Sequence, residues 1–130
     1  MPFTSFSEFN REAGGDIWYA FDDDRPLAFF AGIWAPQWKS VRKVKEGVVV
    51  TDLFAFLTTE PNAEVKDIHP KAMPVILRTA EEVENWMTAP WEVARLLQRP
   101  LPDGVLKIVS IGAKEDPPQA RPGTPEPSLF

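Results

Sequence analysis

The chain has 130 residues, the length of one ordinary domain, and its 44% hydrophobic and 25% charged residues are typical of a globular protein. Its 14 Lys and Arg against 19 Asp and Glu give a net charge of −5, which argues against a broad surface for non-specific nucleic-acid binding. The absence of cysteine and the single histidine exclude disulfides, thiolate metal sites, multi-histidine metal sites and a cysteine nucleophile supplied by these residues. We therefore predict neither a metal nor a cofactor. No signal peptide or membrane-spanning run is apparent, so we expect a cytoplasmic protein with no membrane partner.

The first half of the chain reads as strands and turns. Residues 16–21 are aromatic and β-prone, and the Asp- and Pro-containing turn after them predicts a hairpin with a second strand at 27–34. Gly32 inside that second strand indicates a bulge or a close backbone approach. The polar and basic stretch 35–47 is predicted to be a loop. Residues 48–59 are apolar on both alternating faces, which predicts a central strand covered on each side.

The second half of the chain adds helices between strands. A polar connection over 60–72, with a helical turn after a proline, precedes a short buried strand at 73–77. Thr79 begins a capping-box pattern, and a second helix is predicted from Pro90. A final strand is predicted at 105–111. The helical positions expected to face inward are Val83, Trp86, Met87, Trp91, Ala94, Leu96 and Leu97.

This pattern gives about five strands, two helices and no βαβ alternation. It predicts an α+β domain with a mainly antiparallel, curved sheet or partial barrel and two peripheral helices. We place that domain at residues 1–112. Five of the 14 prolines crowd the last 14 positions, so residues 113–130 are predicted to be a Pro-rich, disordered tail.

Two side chains are candidates for acid–base chemistry. Glu8 lies among Phe3, Phe6 and Phe9, and a carboxylate in aromatic surroundings tends to keep its proton, as a general acid does. Strand alternation puts Phe6 and Glu8 on one face and Phe9 on the other. The alternative is a glutamate at a strand edge that points to water. His69 lies in a polar loop, where it could transfer protons near neutral pH or could simply be a surface histidine.

A basic cluster, Lys39, Arg42, Lys43 and Lys45, falls within seven residues of the predicted loop. Clustered cations of this kind contact nucleic-acid phosphates, although a solvated loop explains the same letters.

Five segments in continuous order resemble the SOS response-associated peptidase (SRAP) family, also known as abasic-site processing proteins. They are TSFSEFN, IWYAF, RPLAFFAGIW, FAFLTTEPNAEVKDIHPKAMPVIL and the tryptophan-containing helix after ENWM. The match covers roughly residues 3 to 110. Its most specific piece is IHPKAMPVIL.

The resemblance implies a function. Members of this family bind single-stranded DNA and capture the ring-opened aldehyde of an abasic site with an N-terminal cysteine, forming a thiazolidine crosslink. They are also assigned a peptidase-like self-processing activity. By motif, Glu8 corresponds to the glutamate that assists sugar ring opening, and His69 to the histidine that stabilises or protonates the Schiff base. Independently of the resemblance, the positive charges of Lys39, Arg42, Lys43 and Lys71 make them the residues that we expect to contact DNA. The expected location is cytoplasmic, or nucleoid-associated if DNA is bound.

The chain also departs from the family pattern. The family's Met-Cys-Gly-Arg start and the segment after it have no counterpart here, so we expect an N-terminally truncated member that cannot form the crosslink by itself. A mispredicted start, a split or decayed gene and a natural short form remain open. The alternative function is a non-catalytic pseudoenzyme, or one half of a split protein that acts as a binding module with the missing N-terminal half as partner.

Overall fold

The computed structural model describes residues 1–116, and these form an α+β fold in which every strand pair is antiparallel. The strands are β1 (Pro2–Phe3), β2 (Phe6–Asn10), β3 (Gly15–Ala20), β4 (Ala28–Phe30), β5 (Gly32–Ser40), β6 (Val49–Phe56), β7 (Thr58–Thr59), β8 (Met73–Pro74), β9 (Ile76–Leu77) and β10 (Lys107–Ile111). The helices are α1 (Ala63–Lys66), α2 (Ala80–Thr88) and α3 (Trp91–Ala94), with single 3-10 turns at Val44–Glu46 and Arg95–Leu97. The predicted fold class is confirmed, although the strands are shorter and more numerous than the pattern indicated.

The strands form four small sheets, ordered β1-β4-β9, β10-β3-β2, β5-β6 and β7-β8, and those described here do not close into a barrel. Three of the sheets meet where single residues interrupt the strands. Ala31 N donates to Val75 O at 2.9 Å, Val75 N donates to Leu57 O at 2.9 Å, and Leu57 N donates to Ala31 O at 3.0 Å. Because these backbone groups satisfy one another, each strand can change sheets without leaving a buried donor unpaired.

The predicted hairpin between 16–21 and 27–34 is wrong. The edges of β3 are occupied by β2 on one side and β10 on the other, so β4 pairs with β1 and β9 instead. Arg25 turns the chain away after β3, with a positive φ of 51° and its backbone N–H bonded to Asp22 O. The turn after β3, whose sequence is typical of a hairpin, therefore connects strands of two different sheets.

The region from Gly32 to Phe56 also differs from the expectation. β5 continues to Ser40, so much of the predicted loop at 35–47 is strand. The predicted central strand is an exposed one, because β6 pairs only with β5 among the described residues. The apolar letters on both faces of β6 reflect an uncovered two-stranded hairpin and not a strand buried on each side.

A one-residue bulge interrupts the β5–β6 pairing between Ala35 and Trp38. Gln37 adopts a positive φ of 51°, and its backbone N–H donates to the Asp52 carboxylate at 2.9 Å. Pro36 has no N–H to give a ladder, which is why prolines in sheets occur at such irregularities.

The core lies under β2, β3, β4 and the β8–β9 segment. Its buried members in the larger cluster are Phe6, Ile17, Tyr19, Ala28, Val65, Met73, Ile76, Leu101 and Leu106. A smaller cluster forms around Ala31, Val75 and Leu77, against which Val83 and Trp86 of α2 pack. The buried strand predicted at 73–77 is confirmed, with a break at Val75 that divides it into β8 and β9.

The helices begin as predicted but bury fewer side chains. The Thr79 hydroxyl accepts from Glu82 N at 3.1 Å, which confirms the cap of α2. Trp86 faces inward and donates from Nε1 to Gly32 O at 2.9 Å. The inward assignment is wrong for Met87 and Leu96, which are 75% and 66% exposed. Trp91 is also more than half exposed. Helices as short as α2, with nine residues, and α3, with four, present too small a face to bury all of their apolar residues.

The proposed boundary at residue 112 stays a prediction. Residues 117–130, most of the predicted tail, lie outside the described part of the chain. Immediately after β10, Ala113 O accepts from Trp18 Nε1 at 2.8 Å, and Asp116 forms a bidentate ion pair with Arg25 at 2.7 and 2.8 Å.

Candidate active site

Glu8 sits in the middle of β2, where it pairs with Ile17 of β3. The alternation expected from the sequence is confirmed: Phe6 is buried, Glu8 is half-buried and Phe9 is 64% exposed on the opposite face. Phe6 and Phe9 thus lie on opposite faces of β2, and Phe6 lines the same cavity as Glu8.

His69 follows the short helix α1, which fixes its position. The Asn62 side chain caps α1 by accepting from Val65 N at 3.2 Å, and His69 N donates to Val65 O at 2.7 Å. The His69 Nδ1 lies 2.9 Å from Ala72 O. Because a carbonyl can only accept, Nδ1 carries the proton in this contact, and Nε2 is the ring nitrogen left for a ligand.

A direct hydrogen bond joins the segments that carry these two residues. Asn10, two positions after Glu8 on the same face of β2, donates from Nδ2 to Ile68 O at 2.9 Å. Its Oδ1 accepts from Glu12 N at 2.9 Å and Ala13 N at 3.1 Å, so the side chain also shapes the turn after β2. Asn10 therefore fixes the residue before His69 against the strand of Glu8.

Glu8 and His69, 61 positions apart in the sequence, line one cavity of about 340 Å³. The remaining lining residues are Phe6, Ser7, Phe30, Phe56, Thr58, Ala72, Met73 and Pro74. An apolar cavity of this size with a few convergent polar groups is the usual form of a small-molecule site.

Burial raises the pKa of Glu8 above its ordinary value of 4.5, while the nearby His69 acts in the opposite direction and lowers it. The net direction is upward, so the carboxyl holds its proton longer than an exposed glutamate does. On the neighbouring strand β3, burial first and then the charges of Glu8, Asp67 and Glu64 raise the pKa of Tyr19 to about 12. The Tyr19 phenol stays protonated and donates to Glu64 O at 3.0 Å.

The expected DNA-contacting residues occupy two separate places, and all are exposed. Lys71 lies two residues beyond His69, on the loop at the cavity. Lys39, Arg42 and Lys43 lie at the tip of the β5–β6 hairpin, about 25 Å along the strands from its base, given the usual rise per residue. Lys43 contacts Glu46 at 3.7 Å. The fold does not bring the basic tip to the cavity itself.

The sequence analysis did not identify two residues, Asn10 and Asn62, that position the segments of Glu8 and His69, although both lie within the segments that resemble the SRAP family. Asn10 ends the segment TSFSEFN. Asn62, only 4% exposed, directly precedes the first turn of α1, which is a typical helix-capping position. Their short-range capping roles could have been predicted, but the long-range bond from Asn10 to Ile68 needs the tertiary structure.

Among residues 1–116, no three His, Cys, Asp or Glu side chains are grouped so that they could hold a metal ion. In the same part of the chain, no helix has the length and apolar character needed to span a bilayer.

The family model described as SOS response associated peptidase (SRAP) matches residues 1–114. The chain belongs to the SRAP family. The match includes the strand of Glu8, the His69 loop and the whole β5–β6 hairpin, so the cavity lies inside the SRAP region.

The SRAP chain also shares its fold with a solved structure, an X-ray crystal structure of a protein from Bacteroides thetaiotaomicron. The TM-score is 0.58, the sequence identity is 24%, and the match covers 82% of this chain and 46% of that one. The similarity at this identity concerns the fold alone, and the SRAP chain spans less than half of the neighbour's length. A comparison with functionally curated proteins finds no match.

Proposed function

We propose that the cavity receives the sugar of an abasic site in single-stranded DNA, with Glu8 and His69 as the acid–base pair that opens the sugar ring. The observation that carries this proposal is the meeting of the two side chains in one cavity. Membership of the SRAP family supports it, since the resemblance implies these roles for the matching glutamate and histidine.

The chemistry requires one group that gives a proton and one that takes a proton. Opening the cyclic hemiacetal breaks the bond between C1′ and the ring oxygen, which must gain a proton while the C1′ hydroxyl loses one. Glu8, whose pKa is raised by burial, keeps its proton to higher pH than an exposed glutamate does and is therefore suited to deliver one. His69 offers Nε2 as the acceptor, because Nδ1 is engaged with Ala72 O.

These 130 residues supply no thiol for the next step. A thiazolidine forms when an aldehyde condenses with a 1,2-aminothiol and releases water, so the aminothiol must come from outside these residues. We therefore expect no heat-stable adduct between this chain alone and abasic DNA. Such an adduct on a denaturing gel would contradict the inference from the missing cysteine.

The test separates ring opening from the missing nucleophile. A single-stranded oligonucleotide with one abasic site is mixed with methoxyamine, which converts the open aldehyde into a stable oxime. The methoxyamine concentration is set where the rate no longer depends on it, so that ring opening is the slow step. The protein should accelerate oxime formation by about 100-fold, the lower end of general acid–base catalysis.

Three variants assign the effect to the cavity. Glu8→Gln and His69→Asn should lose most of the acceleration, since Gln is isosteric but cannot transfer the proton and Asn retains a donor near the Nδ1 position only. Glu12→Gln is the matched control, because Glu12 is exposed in the turn that follows β2. Equal acceleration by wild type and Glu8→Gln, or none by the wild type, would refute the proposed function.

A further inference from the structure

A file of aromatic side chains runs along one face of the β5–β6 hairpin. Trp34 and Phe54 are cross-strand partners and are 67% and 72% exposed, and Phe56 lies on the same face at 42%. Phe54 and Phe56 have ring centroids 5.7 Å apart, and Phe56 and Phe30 are again 5.7 Å apart. We call these four residues, Trp34, Phe54, Phe56 and Phe30, the aromatic ribbon.

The aromatic ribbon is continuous with the candidate active site. Phe30 and Phe56 line the cavity that contains Glu8 and His69. On the other side of these rings, Trp34 and Phe54 border a second cavity of about 380 Å³ beside α2. The ribbon therefore leads from the acid–base pair outward along the hairpin.

The outer end of the ribbon reaches the chain's densest group of cations. Lys39 pairs with Val50, which shares a face with Phe54 by strand alternation, so Lys39 stands on the ribbon's face. Arg42, Lys43 and Lys45 follow at the tip. Four of the chain's 14 Lys and Arg thus lie at the end of an exposed aromatic surface, on a molecule whose net charge is −5.

We propose that single-stranded nucleic acid lies along the aromatic ribbon, with bases stacked on Trp34 and Phe54 and phosphates near Lys39, Arg42 and Lys43. Surfaces that bind single strands without sequence preference combine aromatic stacking with a line of cations, as this hairpin does. The inference rests on the proposed function, and it names the surface that would guide a strand into the cavity.

Of the two strands, β5 is the less suited to accepting a strand from another protein, whereas β6 pairs only with β5 among residues 1–116. Pro36 and the left-handed Gln37 bulge interrupt β5, and irregularities of this kind blunt the edge of a sheet against strand addition. The exposed apolar groups on this face include the rings of Trp34, Phe54 and Phe56 and the smaller Val50. Because clustered cations stand at the end of this face, a polyanionic strand is the expected occupant and a protein partner is an outcome of the test.

The experiment measures fluorescence anisotropy of a labelled, undamaged single strand of about 12 nucleotides, within the usual range of site sizes. Trp34→Leu and Phe54→Leu keep an apolar side chain but remove the ring, and each should weaken binding by about tenfold. Phe9→Leu is the matched control, because Phe9 is 64% exposed on β2 and lies outside the ribbon, and it should bind like the wild type. All three positions are largely exposed, so thermal melts should agree and loss of binding would not reflect unfolding.

Cation variants test the second half of the proposal. Arg42→Gln and Lys39→Gln should reduce the dependence of affinity on salt concentration, because each removed phosphate contact releases one fewer counterion. Unchanged affinity in both ring variants would overturn the ribbon. The ribbon proposal would also be overturned if the wild-type chain does not bind the strand and self-associates in sedimentation, since the ribbon would then be a contact between proteins.

The two proposals fail separately. Glu12→Gln, the exposed control in the turn after β2, should bind the undamaged strand and accelerate oxime formation as the wild type does. If the ring variants lose affinity while the wild type does not accelerate oxime formation, the ribbon stands and the proposed chemistry falls. If the ring variants bind normally while Glu8→Gln alone loses the acceleration, the chemistry stands and the ribbon falls.

Discussion

Asn10 offers the sharpest test of how the fold builds the site, because one side chain joins the strand of Glu8 to the loop of His69. Asn10→Ala removes the donor to Ile68 O and the acceptor for two turn amides, while Asn10→Asp keeps the acceptor and removes only the donor. At about 1 kcal/mol for each partly buried hydrogen bond and less for exposed ones, Asn10→Ala should lower the free energy of unfolding by about 2 kcal/mol. Asn10→Asp should lower it by about 1 kcal/mol.

The effect on chemistry should exceed the effect on stability. A displacement of about 1 Å can cost about 100-fold in rate, so both Asn10 variants should lose at least about tenfold of the oxime acceleration. Thermal melts should show a shift of about 4 °C per kcal/mol for a domain of this size. Full acceleration by Asn10→Asp, with the expected loss of stability, would show that the bond to Ile68 does not position the pair.

Three further predictions concern the cavity and the base of the hairpin. Because burial raises the pKa of Glu8, the folded protein is more stable when this carboxyl is protonated. That stability is fully present at low pH and is lost as pH rises through the pKa of Glu8 in the folded state. Glu8→Gln should therefore be more stable than wild type at neutral pH, and denaturant titrations should show that this advantage disappears below pH 4.5; a pH-independent difference would contradict it. Gly32→Ala should lower the free energy of unfolding by about 1 kcal/mol, because the added Cβ would lie 3.1 Å from Ala55 O. An unchanged melting temperature would contradict this, since it would mean that the β5–β6 hairpin shifts enough to accommodate the methyl group. Trp86→Phe removes the donor to Gly32 O and should lower the free energy of unfolding by about 1 kcal/mol in the same measurement. An unchanged stability would mean that water replaces the indole N–H as the donor.

Much of the local structure could be predicted from neighbouring letters. The cap at Thr79, the close approach at Gly32, the buried strand around Val75 and the split of Phe6 and Phe9 across β2 all depend on residues a few positions apart. Local sterics and hydrogen bonding decide such features, so the sequence carries enough information to predict them.

Strand partners could not be predicted in the same way. The letters after β3 favour a hairpin, yet β10, about 90 positions later, occupies the available edge of β3. A strand with apolar residues on both faces, such as β6, can be covered on each side or can lie in an exposed hairpin. The sequence pattern gives the character of the side chains but not the elements that pack against them. The wrong predictions for the hairpin and for the central strand both come from this ambiguity.

By itself the sequence determined the α+β class, the residue types able to transfer protons, and the lack of a thiol among them. Only the tertiary structure decided that Glu8 and His69 share one cavity, that Asn10 joins their segments, and that Lys39 stands far from both. Contacts between residues 61 positions apart depend on how sheets pack, and no local preference of the chain encodes that packing.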